Sequence, residues 1–375
     1  MSDKIISVFG SNFDETEVNR VKAVIMSQWV GMGAVTEEFE RSLSLRLRPA
    51  HIMTMVNSGS NALHMAVHLM GLKPGMEVIL PSFTWISCAH AVVMAGLKPV
   101  FCDIDADTQN VSIDTISPHI TDRTGAIMVV HYAGKAVDLD PIIATGIPVI
   151  EDAAHAVDTM YKGRHCGTIG DIGIYSFDSV KNIAIGEAGG IVCRDKNKAE
   201  KARLLRYSGI EKAGFDSVRD DKTARWWEYN ISGIFAKMLP TDISAAMGLA
   251  QLEKLDSNQQ RRKKIWDYYQ SEFAAIDGLC TPIDAPAGET HSYFTYMIQV
   301  SRRRDELAHY LWKSGIYTTL RYHPLHLNHI YKSQARLPVS ERLNLTGLNI
   351  PLHPILTDAE INKVAATIKK FLNPL

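Results

Sequence analysis

Between residues 53 and 195 short apolar runs alternate with stretches of helical periodicity. "MTMVNSG" is followed by "SNALHMAVHLMGL", and "EVILPS" by "ISCAHAVVMAGL"; "PVFCDID", "AIMVVHY", "IPVIEDA", "DIGIYSF" and "GGIVCRD" continue the series. Apolar runs bounded by Gly, Pro or Asp predict strands buried on both faces. The helical stretches between several of them predict right-handed β-α-β units and a largely parallel sheet. Ligands of such sheets bind beyond the carboxyl ends of the strands, which directs attention to the residues that close each run.

Beyond this region "DISAAMGLAQLEKLDSNQQRRKKIWDYYQSEF" reads as a long helix leading away from the sheet. "YFTYMIQV" then reads as a strand, "RRRDELAHYLWKSG" as a helix and "IYTTLRY" as a strand. "TDAEINKVAATIKKFL" closes the chain as a helix with Thr357 or Asp358 at its N-cap. The pattern predicts an α/β protein with a large domain over residues 1–250 and a smaller α/β domain over 251–375. No internal repeat or low-complexity segment interrupts it.

At 375 residues the chain is long enough for two unequal domains. A formal net charge of −1 provides no overall basic field for nucleic acid or an anionic membrane. The basic runs Arg261–Lys264 and Arg302–Arg304 fall in polar, helix-like text and read as solvated faces. No stretch has the ~18 apolar residues a membrane span requires, and "MSDKIISVFGSN" lacks the pattern of a signal peptide. Five dispersed cysteines without a C-x-x-C pair suit reduced thiols in the cytoplasm.

Three strand ends carry candidate chemistry. Ser58-Gly59-Ser60-Asn61 lies between a strand and a helix, offering backbone N–H groups and hydroxyls to a phosphate, although Ser and Asn there are also ordinary caps. "IPVIEDAAHA" delivers Glu151 and Asp152 at a strand end, with His155 three residues on. A carboxylate so placed can hold a protonated ring nitrogen; a metal site or a helix cap would use the same residues. In "IYSFDSVKNIAIGEAGGIV" a single Lys181 sits between two apolar runs among small residues. A desolvated lysine near other cations loses basicity and can condense with a carbonyl, whereas most lysines are surface solvators. Together the three point to one cofactor.

With these residues the chain resembles the DegT/DnrJ/EryC/StrS sugar aminotransferases, a branch of the type I pyridoxal-phosphate (PLP) enzymes. The resemblance runs through "SQWVGMGAVTEEFE", "VNSGSNALHMAV", "LPSFTWISCAHAVVMAG", "VVHYAGKAVDLDPI", "EDAAHAVDTMYKG", "YSFDSVKNIAIGEAGGIV", "DISAAMGLAQLEKL" and "RYHPLHLNHIYK", in the family's order. It implies the PLP-dependent transferase type I fold, with Lys181 as the lysine that carries PLP. It also implies that Gly59, Ser60, Asn61 and Ser176 hold the phosphate, that Trp85 stacks on the ring, that Asp152 pairs with the ring nitrogen, and that His155 lies beside it. Tyr322, His326 and Trp29 are the expected sugar contacts. Many relatives carry a compact G-Y-N/K-Y stretch that reaches the neighbouring subunit's phosphate. Here the text is "WWEYNISGIFAKMLPTDI", and Lys237, counted back from Asp242, or else Asn230, takes that part. The usual "GEGG" is "GEAGG".

The implied activity is amino transfer from an amino acid, most often L-glutamate, to a keto- or aldehyde-sugar. The acceptor is a nucleotide-linked keto-deoxyhexose or a free sugar acid such as an 8-oxo-octulosonate. The product would serve surface polysaccharide, lipopolysaccharide or a secondary metabolite. A homodimer with shared sites is part of the expectation, and Trp226 and Trp227 mark a widened loop near the acceptor. A sugar dehydratase of the same family has His in place of Lys181. A non-catalytic PLP-binding regulator would not need the intact Lys, Asp and Ser set. "GMGAVT" at 31–36 lacks the third glycine of a dinucleotide fingerprint, and His323, His326 and His329 lack the company of a metal site.

Overall fold

A computed structural model of the chain describes residues 5–211 and 227–372. Trp226 lies outside the described residues. The predicted apolar runs form the strands of one seven-stranded sheet: β1 (Thr54–Val56), β2 (Glu77–Pro81), β3 (Lys98–Cys102), β4 (Thr124–Val130), β5 (Val149–Asp152), β6 (Ile172–Ser176) and β7 (Gly189–Cys193). Their spatial order is 1-7-6-5-4-2-3. The pairs from β3 through β2, β4 and β5 to β6 are parallel, and β7 runs antiparallel to both β6 and β1. The carboxyl ends of β1, β5 and β6 therefore share one edge with the start of β7.

Both faces of the sheet are covered, which is why the middles of its strands are continuous apolar runs instead of alternating. One face packs on the helices Gly59–Leu69 and Ile86–Met94 through Leu63, Met65, Ala89 and Val92. The other packs on the helix Ala34–Leu47 and the beginning of the long helix Asp242–Phe273 through Phe39, Leu43, Ala245 and Leu249.

That 32-residue helix leaves this core and enters a second one. Its Ile265, Trp266, Tyr269 and Phe273 pack with a three-stranded antiparallel sheet (Leu279–Cys280, Tyr296–Val300, Gly347–Ile350) and the helices Arg304–Lys313 and Asp358–Leu372. The expected division after residue 250 falls inside this continuous helix, and Ile6 from the N-terminal segment joins the second core. Thr357 caps the last helix, its Oγ1 accepting from Glu360 N at 3.2 Å while Glu360 Oε2 accepts from Thr357 N at 2.9 Å.

The segment read as the strand "IYTTLRY" is not one. Ile316 bridges Ile6, and Thr319 exchanges backbone bonds with Asn349 at 3.2 and 2.7 Å, in single steps. Two residues on, Arg321 N donates to the Asn349 side-chain Oδ1 at 2.7 Å in place of a backbone carbonyl. That substitution leads the chain out of the ladder and across the edge of the large sheet.

Candidate active site

A cavity of about 450 Å³ opens at the shared strand edge, a volume in the ordinary range for small-molecule sites. Its floor is built by local rules. Ser58 caps the helix Gly59–Leu69, its Oγ accepting from Asn61 N at 3.1 Å, so the first-turn N–H groups of Gly59 and Ser60 remain available at the positive end of the helix. A Cβ on Gly59 would stand 2.7 Å from Ser176 Cβ, so only glycine lets the helix start meet the end of β6. Ser60 and Ser87 hydroxyls are 2.7 Å apart. Asn61 turns away, its Nδ2 donating to Asn57 Oδ1 at 2.8 Å, and is not among the cavity walls.

The consecutive acids at the end of β5 part company, as strand alternation requires. Asp152 faces the cavity, fixed by Ala154 N to Oδ1 at 2.9 Å and by the buried Cys88 thiol, which donates to Oδ2 at 3.1 Å. Glu151 faces the core. It binds His131 Nε2 at 3.0 Å and accepts from the backbone N–H groups of Gly167, Ile169 and Gly170 at 2.8, 2.7 and 2.5 Å. Burial works to raise its pKa, but His131 and the backbone donors outweigh it and hold the carboxyl below its ordinary value.

Lys181 sits on the loop between β6 and β7. The loop is closed by Ile185 N to Phe177 O at 3.0 Å and Ser179 N to Gly186 O at 2.9 Å, and Asp178 turns it, Oδ1 accepting from Val180 N at 3.0 Å. Lys181 Nζ has no hydrogen-bond partner among the described residues and stands 4.8 Å from the centre of the Phe294 ring. Burial, then the charge of Arg321, push it down to about 8, against the pull of Asp152 and Asp178.

His155 stacks on Phe294 at 4.0 Å and pairs through Nε2 with Tyr322 Oη at 3.0 Å. Its Nδ1 is buried without a partner. Burial and the charges of Lys181 and Arg321 hold it well below the ordinary histidine value, hence neutral. Trp85 stands at the mouth, 51% exposed, its ring 5.6 Å from that of Tyr322.

Tyr322 thus lines the cavity as expected, but His326 does not. Its backbone N donates to Ser82 Oγ at 3.0 Å, its Nδ1 lies 2.6 Å from that same oxygen, and its Nε2 lies 3.3 Å from Glu341 Oε1. With both ring nitrogens engaged and the residue buried, His326 clasps the segment to the end of β2. Asp103, after β3, makes a second clasp by accepting from Val339 N and Ser340 N, both at 2.9 Å. Trp29 is 57% exposed, its Nε1 donating to Met32 O at 3.1 Å, and lies outside the walls this chain provides. Lys237 is exposed, 5.9 Å from the Tyr207 ring, and neither it nor Asn230 lines this cavity.

Phe294, Arg321 and Cys88 were not singled out from the sequence. Arg321 was findable, since it adjoins Tyr322 where a predicted run ends; Phe294 carried no signal beyond its hydrophobicity. The dinucleotide reading of "GMGAVT" fails structurally, because Asp242 occupies that helix start, accepting from Gly33 N at 2.8 Å and Thr36 N at 2.9 Å. No group of potential metal ligands forms among the described residues.

An open helix start, a carboxylate, a neutral histidine with a free nitrogen and an unpartnered amine face one cavity. This set fits PLP: its phosphate to Gly59, Ser60 and Ser176, its ring nitrogen to Asp152, its carbonyl to Lys181. The fold and the site thus define a PLP enzyme of the type I class. Residues 11–369 match the DegT/DnrJ/EryC1/StrS aminotransferase family, and the chain belongs to that PLP-dependent family. It is 35% identical to the dTDP-4-dehydro-2,3,6-trideoxy-D-glucose 4-aminotransferase of Saccharopolyspora spinosa, over 94% of this chain and 93% of that one. It is 34% identical to the GDP-perosamine synthase of Caulobacter vibrioides, over 98% of each. The protein Spr1654 of Streptococcus pneumoniae, solved in PLP and PMP (pyridoxamine phosphate) forms, is 28% identical. Its PMP form superposes with a TM-score of 0.90 over 96% of this chain and 98% of that one.

Proposed function

We propose that this aminotransferase moves the amino group of an amino acid, L-glutamate first among donors, to the keto group of a nucleotide-linked deoxysugar, producing an amino sugar for a surface polysaccharide or a secondary metabolite. The observation that carries the chemistry is the free Lys181 amine in one cavity with Asp152 and the Gly59–Ser60 helix start. The names of both curated relatives support the nucleotide-linked acceptor.

When bound, PLP supplies a carbonyl that condenses with amines and a protonated ring that accepts electron density. The chain supplies the rest. Lys181, pushed down to about 8, is a base that takes the donor's α-proton and returns it on the other side of the reaction, a service worth roughly 10²–10⁴-fold. Asp152 keeps the proton on the ring nitrogen, and the Cys88 thiol and Ala154 N–H keep Asp152 in place. The serine hydroxyls and first-turn N–H groups orient the group through its phosphate.

The reading includes a homodimer and a cytoplasmic location. The exposed apolar residues Trp29, Val30, Trp227 and Ile234, the last 96% exposed, support a covered face, with Lys237 or Asn230 serving the neighbouring subunit's phosphate. Among the described residues no helix is long and apolar enough to cross a membrane. Light scattering of the purified protein tests the dimer.

The deciding experiment is a visible spectrum of the PLP-loaded protein before and after L-glutamate. The cofactor band should bleach in the native protein and stay unbleached in Lys181→Ala. A panel of nucleotide-linked keto-sugars and free sugar acids should then identify the acceptor that restores it. A band indifferent to every amino donor would replace this reading with a PLP-binding regulator.

A further inference from the structure

Thr84, Trp85 and Ser87, at the start of the helix Ile86–Met94, line the cavity, whereas Cys88 is fully buried behind them. Its backbone N–H is held by Trp85 O at 3.1 Å. Its thiol donates to Asp152 Oδ2 at 3.1 Å, and Thr84 Oγ1 lies 3.3 Å from its sulfur. With the thiol hydrogen directed to Asp152, the Thr84 hydroxyl donates to the sulfur, and a chain of donors runs from Thr84 through Cys88 to the carboxylate. Cys102, Cys166 and Cys193 are also buried, but among the described residues none of them has a side-chain hydrogen bond. Packing alone asks for no such partner. Cys88 has one, and it is the acid that faces the cavity.

The kind of donor matters. A hydroxyl bonds a carboxylate strongly and draws charge from it, whereas a thiol is a weak donor that orients the oxygen and takes little. Burial and the charge of Asp152 push the thiol well above its ordinary value, so it stays protonated and serves only as a donor. Asp152 Oδ1 takes the Ala154 N–H at 2.9 Å. Each carboxylate oxygen thus has one fixed donor and keeps lone pairs for the cavity. A carboxylate that retains its charge holds a facing N–H proton better.

We propose that Cys88 is a positioning residue acting through Asp152: its thiol aims Oδ2 at the PLP ring nitrogen without drawing off the charge, so that this nitrogen keeps its proton more firmly than it would beside a hydroxyl donor. The proposal rests on Asp152 as the ring-nitrogen partner.

The test loads PLP isotopically labelled at its ring nitrogen into the native protein, Cys88→Ser, Cys88→Ala and Asp152→Asn. Nuclear magnetic resonance then reads the protonation of that nitrogen against pH. Its proton affinity should fall on the order of tenfold in Cys88→Ser. Cys88→Ala, which has no donor, should stay at or above the native value. Bleaching by L-glutamate should slow severalfold in Cys88→Ser with half-saturating glutamate unchanged. Unaltered melting temperature and PLP content establish that the variants are folded and loaded. The native protein offers a reading that needs no loaded variant: its infrared spectrum should hold an S–H band displaced to low frequency by the carboxylate. Absence of that band overturns the proposal. So does a proton affinity that moves in the same direction in Cys88→Ser and Cys88→Ala, or that moves by less than about twofold in Cys88→Ser while Asp152→Asn lowers it; Cys88 would then be packing only. If Asp152→Asn also leaves the nitrogen unmoved, the reading of Asp152 itself fails, and this proposal with it.

Discussion

The two walls of the cavity are built by different means. The sheet wall places Gly59, Ser60, Asp152, Ser176 and Lys181 through strand ends, one helix start and one hairpin loop, held mainly by backbone bonds, with the Cys88 thiol added on Asp152. The opposite wall places Arg321 and Tyr322 on a segment that belongs to no strand. It is held by side chains distant in sequence: Asn349 on Arg321 N, Ser82 and Glu341 on His326, and Asp103 on Ser340. The first wall is a property of the fold; the second is fastened onto it. Under the proposed function, this division would suit an enzyme that keeps one cofactor and exchanges two substrates, with the cofactor against the sheet wall.

The largest test of that contrast is in the neighbours Glu151 and Asp152. Glu151→Ala should destabilise the protein by about 3–5 kcal/mol in denaturant unfolding, because it strands the buried His131 and three backbone donors. Asp152→Asn should leave the unfolding midpoint nearly unchanged while slowing glutamate-driven bleaching on the order of 10²-fold. The Glu151 contribution should be fully present above its ordinary pKa of 4.5 and drain away as pH falls through the lower folded value. Equal stability losses at both positions would remove the distinction between anchor and working acid.

Next in size, Gly59→Ala should cost about 1–3 kcal/mol and loosen PLP, since the added methyl meets Ser176 and not a movable side-chain tip. Dialysis against PLP-free buffer, followed by the remaining cofactor absorbance, measures the loosening. On the opposite wall, His326→Ala should cost about 1–2 kcal/mol and leave PLP retention unchanged. PLP loss in His326→Ala would mean that the two walls are not independent.

The smallest effect concerns Lys181. Its folded pKa lies below the ordinary 10.5, so folding releases a proton between about 8 and 10.5 and stability rises with pH across that window. In PLP-free protein the rate of PLP uptake should rise with a midpoint of about 8. Arg321→Gln should move the midpoint upward, since it removes a neighbouring positive charge. A midpoint unmoved by that change would mean that the two walls do not communicate electrostatically.

The sequence determined the sheet, the order of its strands along the chain, and the floor of the site. Strand ends, caps and tight turns are local, and "VNSGSN", "VIEDAAH" and "SFDSVKN" report them directly. Even there the tertiary structure divided the labour: Glu151 and Asp152 are equivalent as letters, and only strand alternation within a two-faced sheet sends one to the core and the other to the cavity. The opposite wall was less legible. "IYTTLRY" has the composition of a strand, and nothing local shows that Asn349 diverts it. "PLH" has the look of a ligand-contacting histidine, and nothing local shows Ser82 and Glu341 waiting for both ring nitrogens. Those partners lie 28, 244 and 15 residues away and meet only in the folded chain: Asn349 comes from the second core, whereas Leu325, Leu337 and Leu343 around the His326 clasp pack into the cores of the large sheet. Short-range rules fix where a strand ends, whereas the direction of a side chain beyond that end is decided by whichever distant group satisfies its neighbours' hydrogen bonds.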